Sequence, residues 1–370
     1  MRDDIGQLLW FGFPGPTVDA RLRKKLEAGE VGATIVFKRN LVVTDGVTDI
    51  DAIIALNRDL HRAAPDGTPA LVAVDHEGGV VQRVRAPATH WPPMMRHDAL
   101  GGDALDIAAK VGRALGDEVR ALGFDIDFAP ILDVHTNAAN PIIGDRAFGT
   151  EADAAARRAL SFAAGLAAAG VLGCGKHFPG HGDTSTDSHL ELPRIDHAWE
   201  RLEKTELHPF RLAADAQAVA AAPGPIPMIM TAHVVFAAID ASVPATLSHK
   251  VVTGLLRERL GYQGVIVSDD LDMKAIAATM GADVAAIGAI RAGCDVLLLC
   301  KEEAHQDLAE MALAKECERD SEFRALVGAA ARRVRAMKKA HADFTKAHPA
   351  RGREAIGHAD HAALAARLRS

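Results

Sequence analysis

The sequence predicts an α/β protein in which eight parallel strands and their intervening helices close into one (β/α)8 barrel of the TIM type. Short apolar runs alternate along the 370 residues with longer Ala/Leu-rich segments of helical period. There are eight such runs, and eight parallel strands close a barrel. An open doubly wound sheet is the competing topology. The chain has no GxGxxG motif after its first run and no P-loop, which disfavours the nucleotide-binding versions of that sheet.

The elements follow from this alternation and from local composition. The predicted strands are LLWFGF (8–13), ATIVFK (33–38), ALVAVD (70–75), DIDFAP (125–130), LGCGKHF (172–178), PMIMTAH (227–233), GVIVSDD (264–270) and CDVLLLC (294–300). The predicted helices between them include 18–29, 48–64, 104–123 and 151–170.

No linker or composition break divides residues 1–320, so we expect them to form a single domain. Residues 321–370 are predicted to be a helical C-terminal extension, with a loop near 347–352, that packs on the outside of the barrel. We expect the histidines of this extension to be solvated rather than metal-binding; they are His341, His348, His358 and His361.

Bulk properties exclude several classes of protein. The net charge is −7 and the Lys and Arg residues are scattered, which argues against a nucleic-acid partner. The N-terminus MRDDIG lacks the positive region of a secretory signal, and the longest low-polarity stretch (159–175) is too short for a membrane span. The four cysteines form no CxxC pair, so we expect reduced thiols and a cytoplasmic protein without membrane contact.

Polar residues stand at the carboxyl ends of five predicted strands. In a barrel these ends converge on one face, where active sites are built. The sequence therefore predicts one shared site there, made by Asp75, Asp133, Lys176 with His177, His233, and Asp269 with Asp270.

Four segments of the chain resemble, in order, the motifs of glycoside hydrolase family 3. They are VDHEGGVVQR (74–83), FAPILDVHTNAANPIIGDRAFG (128–149), KHFPGHGDTSTDSH (176–189) and VSDDLDM (267–273). More narrowly, they resemble its single-domain β-N-acetylglucosaminidase branch, which acts in bacterial cell-wall recycling. The resemblance implies a (β/α)8 barrel that works without a metal or a cofactor.

The resemblance implies that Asp269 is the catalytic nucleophile. A retaining glycosidase needs a carboxylate on one face of the sugar, and Asp269 ends a strand that would aim it into the barrel mouth. Asp270 should point elsewhere, because adjacent side chains of a strand face opposite ways. The alternative is that Asp269 only caps the following helix.

The proton donor implied by the resemblance is a histidine paired with an aspartate, here His189 with Asp187. A histidine titrates near neutrality, so it can donate and then accept a proton, and an aspartate bonded to its ring fixes the tautomer. Gly180 and Gly182 would let this loop fold over a bound sugar as a mobile lid. A plain solvated loop is the alternative.

By resemblance the terminal sugar is bound by Asp75, Arg83, Arg146, Lys176 and His177. Arg146 alone would more often form a structural ion pair.

Two further residues of the shared face, Asp133 and His233, either touch substrate or support the site from behind. A metal site in 177–189 is disfavoured, because Pro179 and Gly180 interrupt the helix that an i, i+4 histidine pair needs.

The sequence therefore predicts a cytoplasmic, monomeric, retaining exo-β-N-acetylglucosaminidase. Its low aromatic content of 4% favours short muropeptide-like substrates over chitin. The nearest alternatives are a β-N-acetylglucosaminide phosphorylase and another β-glycosidase of the same family. A Schiff-base enzyme built on Lys176 and a noncatalytic sugar-binding barrel also remain.

Overall fold

In the computed structural model, which describes residues 1–65, 69–185, 192–219 and 224–369, eight parallel strands form a closed barrel. Each strand pairs with its neighbour in sequence, and the first strand pairs with the last. All eight predicted strands are confirmed. They are β1 (Leu9–Gly12), β2 (Ala33–Val36), β3 (Leu71–Val74), β4 (Ile126–Asp127), β5 (Leu172–Phe178), β6 (Met228–Thr231), β7 (Val265–Asp270) and β8 (Val296–Leu299).

Residues of the strands alternate between the barrel interior and the helical layer, as the period of a strand requires. Ala33 and Ile35 of β2 belong to the apolar cluster that fills the barrel. Val72 and Val74 of β3 belong to the larger cluster between the strands and the helices. The strands are therefore buried on both faces, which explains why they are continuous apolar runs in the sequence.

Helices surround the barrel, and the four predicted between the early strands are confirmed. Asp19 and Asp49 cap two of these helices through their side chains, at Leu22 N and Ala52 N respectively. The helices are α1 (Arg2–Leu8), α2 (Ala20–Glu27), α3 (Ile50–Ala63), α4 (Ala104–Ala121), α5 (Ala152–Ala169), α6 (Trp199–Lys204), α7 (His208–Val219), α8 (Lys274–Ala277), α9 (Ala282–Ala292), α10 (Glu303–Arg319), α11 (Ser321–Ala347) and α12 (Ala359–Arg369), with a π-helix at Lys250–Arg259.

The C-terminal extension is helical and closes the lower end of the barrel, which is the end at which the strands begin. Val334 and Met337 of α11 belong to the cluster that fills the barrel interior. The buried Lys338 ammonium donates hydrogen bonds of 2.7 to 2.8 Å to the Gln7 side chain and to two backbone carbonyls just before β2 and β3. The extension therefore packs against the barrel interior, whereas the sequence suggested that it packs only on the outside of the barrel.

Two of the four C-terminal histidines are buried, so the prediction that they are solvated is wrong for them. His341 contacts Asp125 at 3.3 Å, and His361 contacts Glu118 at 2.8 Å. Each histidine can be buried because one of its ring nitrogens has a carboxylate as its hydrogen-bond partner. His348 is exposed, as predicted.

Within the described ranges, none of the helices has the length and apolar character needed to cross a membrane. The four cysteines are buried and unpaired.

Candidate active site

The carboxyl ends of the strands surround a cavity of about 250 Å³. Its walls carry seven of the residues that the sequence analysis assigned to the site. They are Asp75, Arg83, Arg146, Lys176, His177, Asp269 and Asp270. The structure therefore brings together side chains that lie up to 195 residues apart in the chain, because parallel strands end at one face of the barrel.

Asp75 follows β3 and is held by two cations. The Lys176 ammonium donates to Asp75 Oδ1 at 2.8 Å, and Arg83 Nη2 donates to Oδ2 at 3.2 Å. Burial alone would raise the pKa of Asp75, but Lys176 and Arg83 hold it well below its ordinary value. Asp75 is therefore a fixed carboxylate acceptor at the cavity wall.

Glu77 is a residue of the site that the sequence analysis missed. Arg146 donates to both of its carboxylate oxygens, Nε to Oε2 and Nη2 to Oε1, each at 2.8 Å. Lys176 lies 2.6 Å from Oε1. Burial acts against the charged form of Glu77, but Arg146 and Lys176 lower its pKa. The spacing of Asp75 and Glu77, two residues apart at a strand end, was the signal available in the sequence.

Lys176 is shared between these two carboxylates. Burial alone would lower the pKa of its ammonium, but Asp75 and Glu77 raise it above its ordinary value. An ammonium kept charged in this way is a hydrogen-bond donor and a poor nucleophile, which disfavours a Schiff-base enzyme.

Asp133 lies behind the cavity and binds the ring of His177 and the backbone of His181. Its Oδ2 accepts a 2.7 Å bond from His177 Nδ1, and its Oδ1 accepts a 2.6 Å bond from the backbone N–H of His181. Burial opposes ionisation of Asp133, but His177 and His181 lower its pKa. The bond to Nδ1 leaves Nε2 as the ring nitrogen of His177 available to the cavity it lines. Asp133 is thus a support of the site.

Asp269 lines the cavity from β7, and its Oδ1 accepts the backbone N–H of Asp270 at 2.8 Å. Asp270 is also a residue of the cavity wall, and its carboxylate is bound to backbone N–H groups. The pairing of β7 has an irregularity at this point: Val267 pairs with Val296 and Asp270 with Leu298, so three residue steps on β7 oppose two on β8. Strict alternation fails across such a bulge.

The Asp270 carboxyl is tied to the next strand. Its Oδ1 accepts the backbone N–H groups of Asp272 at 3.0 Å and Cys300 at 3.1 Å. Burial raises the pKa of Asp270 to about 7, and the neighbouring carboxylates of Asp272 and Asp269 act in the same direction. The Asp270 carboxyl, with its raised pKa, therefore stands beside Asp269 at the end of β7.

His233 supports this pair from outside the cavity. Its Nε2 donates to the backbone carbonyl of Asp270 at 3.0 Å, and its Nδ1 contacts Thr246 Oγ1 at 2.9 Å. Of the two roles that the sequence left open for His233, the structure favours support over substrate contact.

The loop after β5 is described only in part, and both Asp187 and His189 lie outside the described residues. Gly182 approaches the backbone so closely that a Cβ there would lie 1.8 Å from the carbonyl oxygen of Val134. Asp183 is bound by Thr136 at 2.9 Å, by Arg201 at 3.2 Å and by His197. The loop is thus held at both of its described ends, since His197 follows the gap that Asp183 precedes.

The described wall offers carboxylate acceptors, cationic donors and one carboxylate on a rigid strand end. Sugar hydroxyls bind such groups, and the carboxylate on the rigid strand end matches what a nucleophile requires. Among the residues of the described ranges, no group of three or more His, Cys, Asp or Glu side chains is arranged to hold a metal ion.

Comparison with protein families gives one match over most of the chain. Residues 1–337 match the glycosyl hydrolase family 3 N terminal domain. A β-hexosaminidase of Tolumonas auensis is 38% identical over 290 residues, which cover 78% of this chain and 81% of that protein. A β-hexosaminidase of Bordetella pertussis is 37% identical over 303 residues and covers 80% of each chain.

Two solved structures are similar to this chain over nearly its whole length. A glycoside hydrolase family 3 β-N-acetylglucosaminidase from a Paenibacillus species superposes with a TM-score of 0.89 at 35% identity, over 100% of this chain and 68% of that one. Native NagZ from Neisseria gonorrhoeae superposes with a TM-score of 0.77 at 30% identity, over 99% and 98% of the two chains.

Proposed function

Because the chain belongs to glycoside hydrolase family 3, we propose that it is a retaining exo-β-N-acetylglucosaminidase that removes a terminal N-acetylglucosamine. Its β-hexosaminidase relatives support the choice of sugar. The observation that supports the proposal is the shared cavity, whose wall includes Asp269 at a strand end together with the charged groups that we propose to hold the sugar.

The reaction proceeds in two displacements. Asp269 attacks the anomeric carbon while the His189 imidazolium protonates the leaving oxygen, which gives a covalent glycosyl-enzyme. The neutral His189 then takes a proton from water as that water attacks the same carbon and releases Asp269. Asp187 holds the imidazole in the tautomer that both steps need.

The cavity wall holds the terminal sugar. Lys176, Arg83 and Arg146 donate to hydroxyl or carbonyl oxygens, and Asp75 accepts from hydroxyls. His177, fixed by Asp133, offers one ring nitrogen. The cavity of about 250 Å³ is slightly smaller than the ~300–1,000 Å³ of pockets for drug-sized ligands. That size suits one sugar ring and therefore exo-action on a chain end.

The substrate class and the setting of the reaction are part of the same proposal. Short muropeptide-like glycosides fit a small pocket in a protein with few aromatic residues (4%) better than a long polymer does. Buried, unpaired cysteines fit a reducing cytoplasm. We propose a monomer that uses neither a metal nor a cofactor.

Product analysis with 4-nitrophenyl N-acetyl-β-glucosaminide tests the proposal. We expect the β-anomer of N-acetylglucosamine as the first product by NMR, also in phosphate buffer. A first product of α-configuration would contradict retention. A sugar 1-phosphate formed in phosphate buffer would instead identify a phosphorylase, and binding without turnover would identify a noncatalytic barrel.

A further inference from the structure

We infer that His361, in the C-terminal helix α12, is a positioning residue for sugar binding. It acts through Glu118 on residues 75–83, which we call the binding hairpin because they begin at Asp75 and end at Arg83. This inference rests on the proposed function, because it gives α12 a part in holding the terminal sugar. The family match ends at residue 337, so α12 lies beyond the part of the chain that the family model describes.

The binding hairpin carries three charged side chains of the cavity wall. They are Asp75, Glu77 and Arg83. Two short antiparallel β-segments, His76–Gly78 and Val81–Gln82, form its arms, and neither belongs to the eight-stranded barrel. Because the hairpin lies outside the barrel sheet, its position depends on the contacts that it makes with the segments around it.

The next part of the chain, residues 84–93, holds the hairpin through hydrogen bonds to Gln82. The Gln82 amide nitrogen donates to the backbone carbonyl of Thr89 at 2.8 Å, and its amide oxygen accepts the N–H of Trp91 at 2.9 Å. Gln82 and Trp91 are buried, so water does not compete for these bonds. The position of Arg83, the residue after Gln82, therefore depends on where Thr89 and Trp91 lie.

Glu118 of α4 connects this segment to α12. Its Oε2 accepts the backbone N–H of Thr89 at 2.9 Å, and its Oε1 accepts Nδ1 of His361 at 2.8 Å. Glu118 and His361 are only 2% and 5% exposed, and a buried carboxylate without a hydrogen-bond partner is costly. Loss of the His361 ring therefore leaves Oε1 of Glu118 without this partner and the side chain free to turn away from Thr89.

Further contacts hold α12 against residues 84–93. Near the end of the helix, Arg369 donates to the backbone carbonyl of His90. Just before the helix, Gly357 comes so close that a Cβ there would lie 2.2 Å from the carbonyl oxygen of Pro87. Because the helix is fixed at both ends, a side chain on it is presented from a rigid base, as a positioning residue requires.

The test compares His361→Ala with His361→Asn in the full chain, with 4-nitrophenyl N-acetyl-β-glucosaminide as the substrate. For His361→Ala we expect KM to rise about 3- to 10-fold and kcat to change less than about 2-fold, since the hairpin binds the sugar and does not react with it. His361→Asn should restore KM to within about 2-fold, because its amide nitrogen can donate from nearly the position of Nδ1. The inhibition constant of N-acetylglucosamine should follow KM in both variants.

The change in KM separates this role from a purely structural one. KM does not depend on how much of the protein is folded, so a variant that only loses folded protein would lower the apparent kcat and leave KM unchanged. Circular dichroism shows whether each variant is folded. If His361→Ala does not fold, Glu118→Met makes the same test and should raise KM, since methionine nearly keeps the side-chain volume and removes both acceptors.

His348→Ala is the matched control, because His348 is an exposed histidine of the same C-terminal extension. It makes the same substitution and should leave kcat and KM unchanged. An unchanged KM in folded His361→Ala or Glu118→Met, or a His361→Asn protein as impaired as His361→Ala, would overturn the inference and leave the proposed function intact. Failure of the unmodified protein to cleave the aryl glycoside would overturn the proposed function, and the inference with it.

Discussion

At the scale of single residues, the cavity wall is organised by one ammonium shared between two carboxylates. Lys176 binds Asp75 and Glu77, and Glu77 also accepts hydrogen bonds from Nε and Nη2 of Arg146. Lys176 and Glu77 are buried, Asp75 and Arg146 are partly buried, and each charge has a partner of opposite sign, as a stable buried charge requires. The same groups are thereby fixed before any sugar arrives, which reduces the cost of binding.

We predict that Glu77→Gln raises KM about 10-fold or more with a smaller change in kcat. The substitution leaves Lys176 and Arg146 without the carboxylate that positions them, and loss of uniform sugar binding appears in KM. It should also lower the free energy of unfolding by about 3–5 kcal/mol, since it breaks a buried ion pair. Steady-state kinetics and urea unfolding measure the two effects.

Asp106→Asn is the control, because Asp106 is exposed and its ion pair with Lys110 is exposed too. It should leave kinetics and stability nearly unchanged. A Glu77→Gln protein with the KM and stability of the unmodified chain would show that Glu77 does not position these cations.

Asp270 gives a prediction for the dependence of stability on pH. Burial, together with Asp272 and Asp269, raises its pKa from an ordinary 3.8 to about 7. Between these values the folded chain keeps a proton that the unfolded chain has lost, so this group's contribution to stability is full below pH 3.8 and is lost as pH rises through 7.

Asp270→Asn should remove that loss. Each pKa unit corresponds to about 1.4 kcal/mol, so the variant should gain up to a few kcal/mol relative to the unmodified chain between about pH 4 and 8. Urea unfolding at several pH values measures the difference, and Asp45→Asn at an exposed turn is the control. A constant difference across this range would refute the assignment.

At the residue scale, the strand pattern in the sequence indicated which side chains lie near the carboxyl ends of β3, β5 and β7. Asp75, Lys176 and Asp269 line the cavity as the strand pattern indicated. Glu77 was missed because it lies past the end of its strand, in the short hairpin β-segment His76–Gly78. Its partner Arg146 is 69 residues away, and no local pattern joins them.

At the scale of elements, the loop after β5 depends on a close approach of two backbones. Gly182 faces the carbonyl of Val134, and Gly180 has a φ of +133°, which a residue with a side chain rarely adopts. Gly182 lets the described start of the loop lie against the segment after β4, and Gly180 lets it lie against Glu206. The loop then carries the proposed acid/base residue beyond the described range.

We predict that Gly182→Ala lowers kcat/KM at least about 10-fold, because a methyl group at 1.8 Å from a backbone oxygen must displace the loop. Steady-state kinetics on the neutral aryl glycoside measure the loss, and circular dichroism checks that the barrel persists. Gly254→Ala is the control, since its nearest atom would lie at 3.7 Å. An active Gly182→Ala protein would contradict this role of the glycine.

The elements themselves were the most predictable part of the molecule. All eight strands and the four named helices follow from apolar periodicity, because packing on both faces of a parallel sheet demands it. The bulge in β7 was not predictable, since it depends on the register with β8. That irregularity lies between Val267 and Asp270, next to Asp269.

At the scale of the whole molecule, α11 completes the barrel. Its buried apolar residues are Phe323, Val327, Ala330, Ala331, Val334 and Met337. Burial of a large apolar side chain contributes about 1.5–3 kcal/mol, so together these contacts rival the ~5–15 kcal/mol of a typical domain. The sequence indicated the helix but not that it closes the lower end of the barrel, because that contact spans distant parts of the chain.

We therefore predict that a chain ending at residue 320 does not unfold cooperatively, whereas a chain ending at residue 349 does. The longer truncation exposes the barrel interior beside Val334 and Met337, and the shorter one keeps α11. Differential scanning calorimetry distinguishes them. A cooperative transition in the chain of residues 1–320 would instead support an independent catalytic domain with a dispensable extension.

The central claim is that Asp269 forms a covalent bond to the sugar. The most direct measurement is mass spectrometry of the protein after reaction with a 2-deoxy-2-fluoro glycoside that has a good leaving group. We expect one added sugar on the peptide that contains VSDDLDM, located at Asp269 by fragmentation, and none in Asp269→Asn. Turnover of the aryl glycoside without such an adduct, or a label on Asp270 or another residue, would contradict the account.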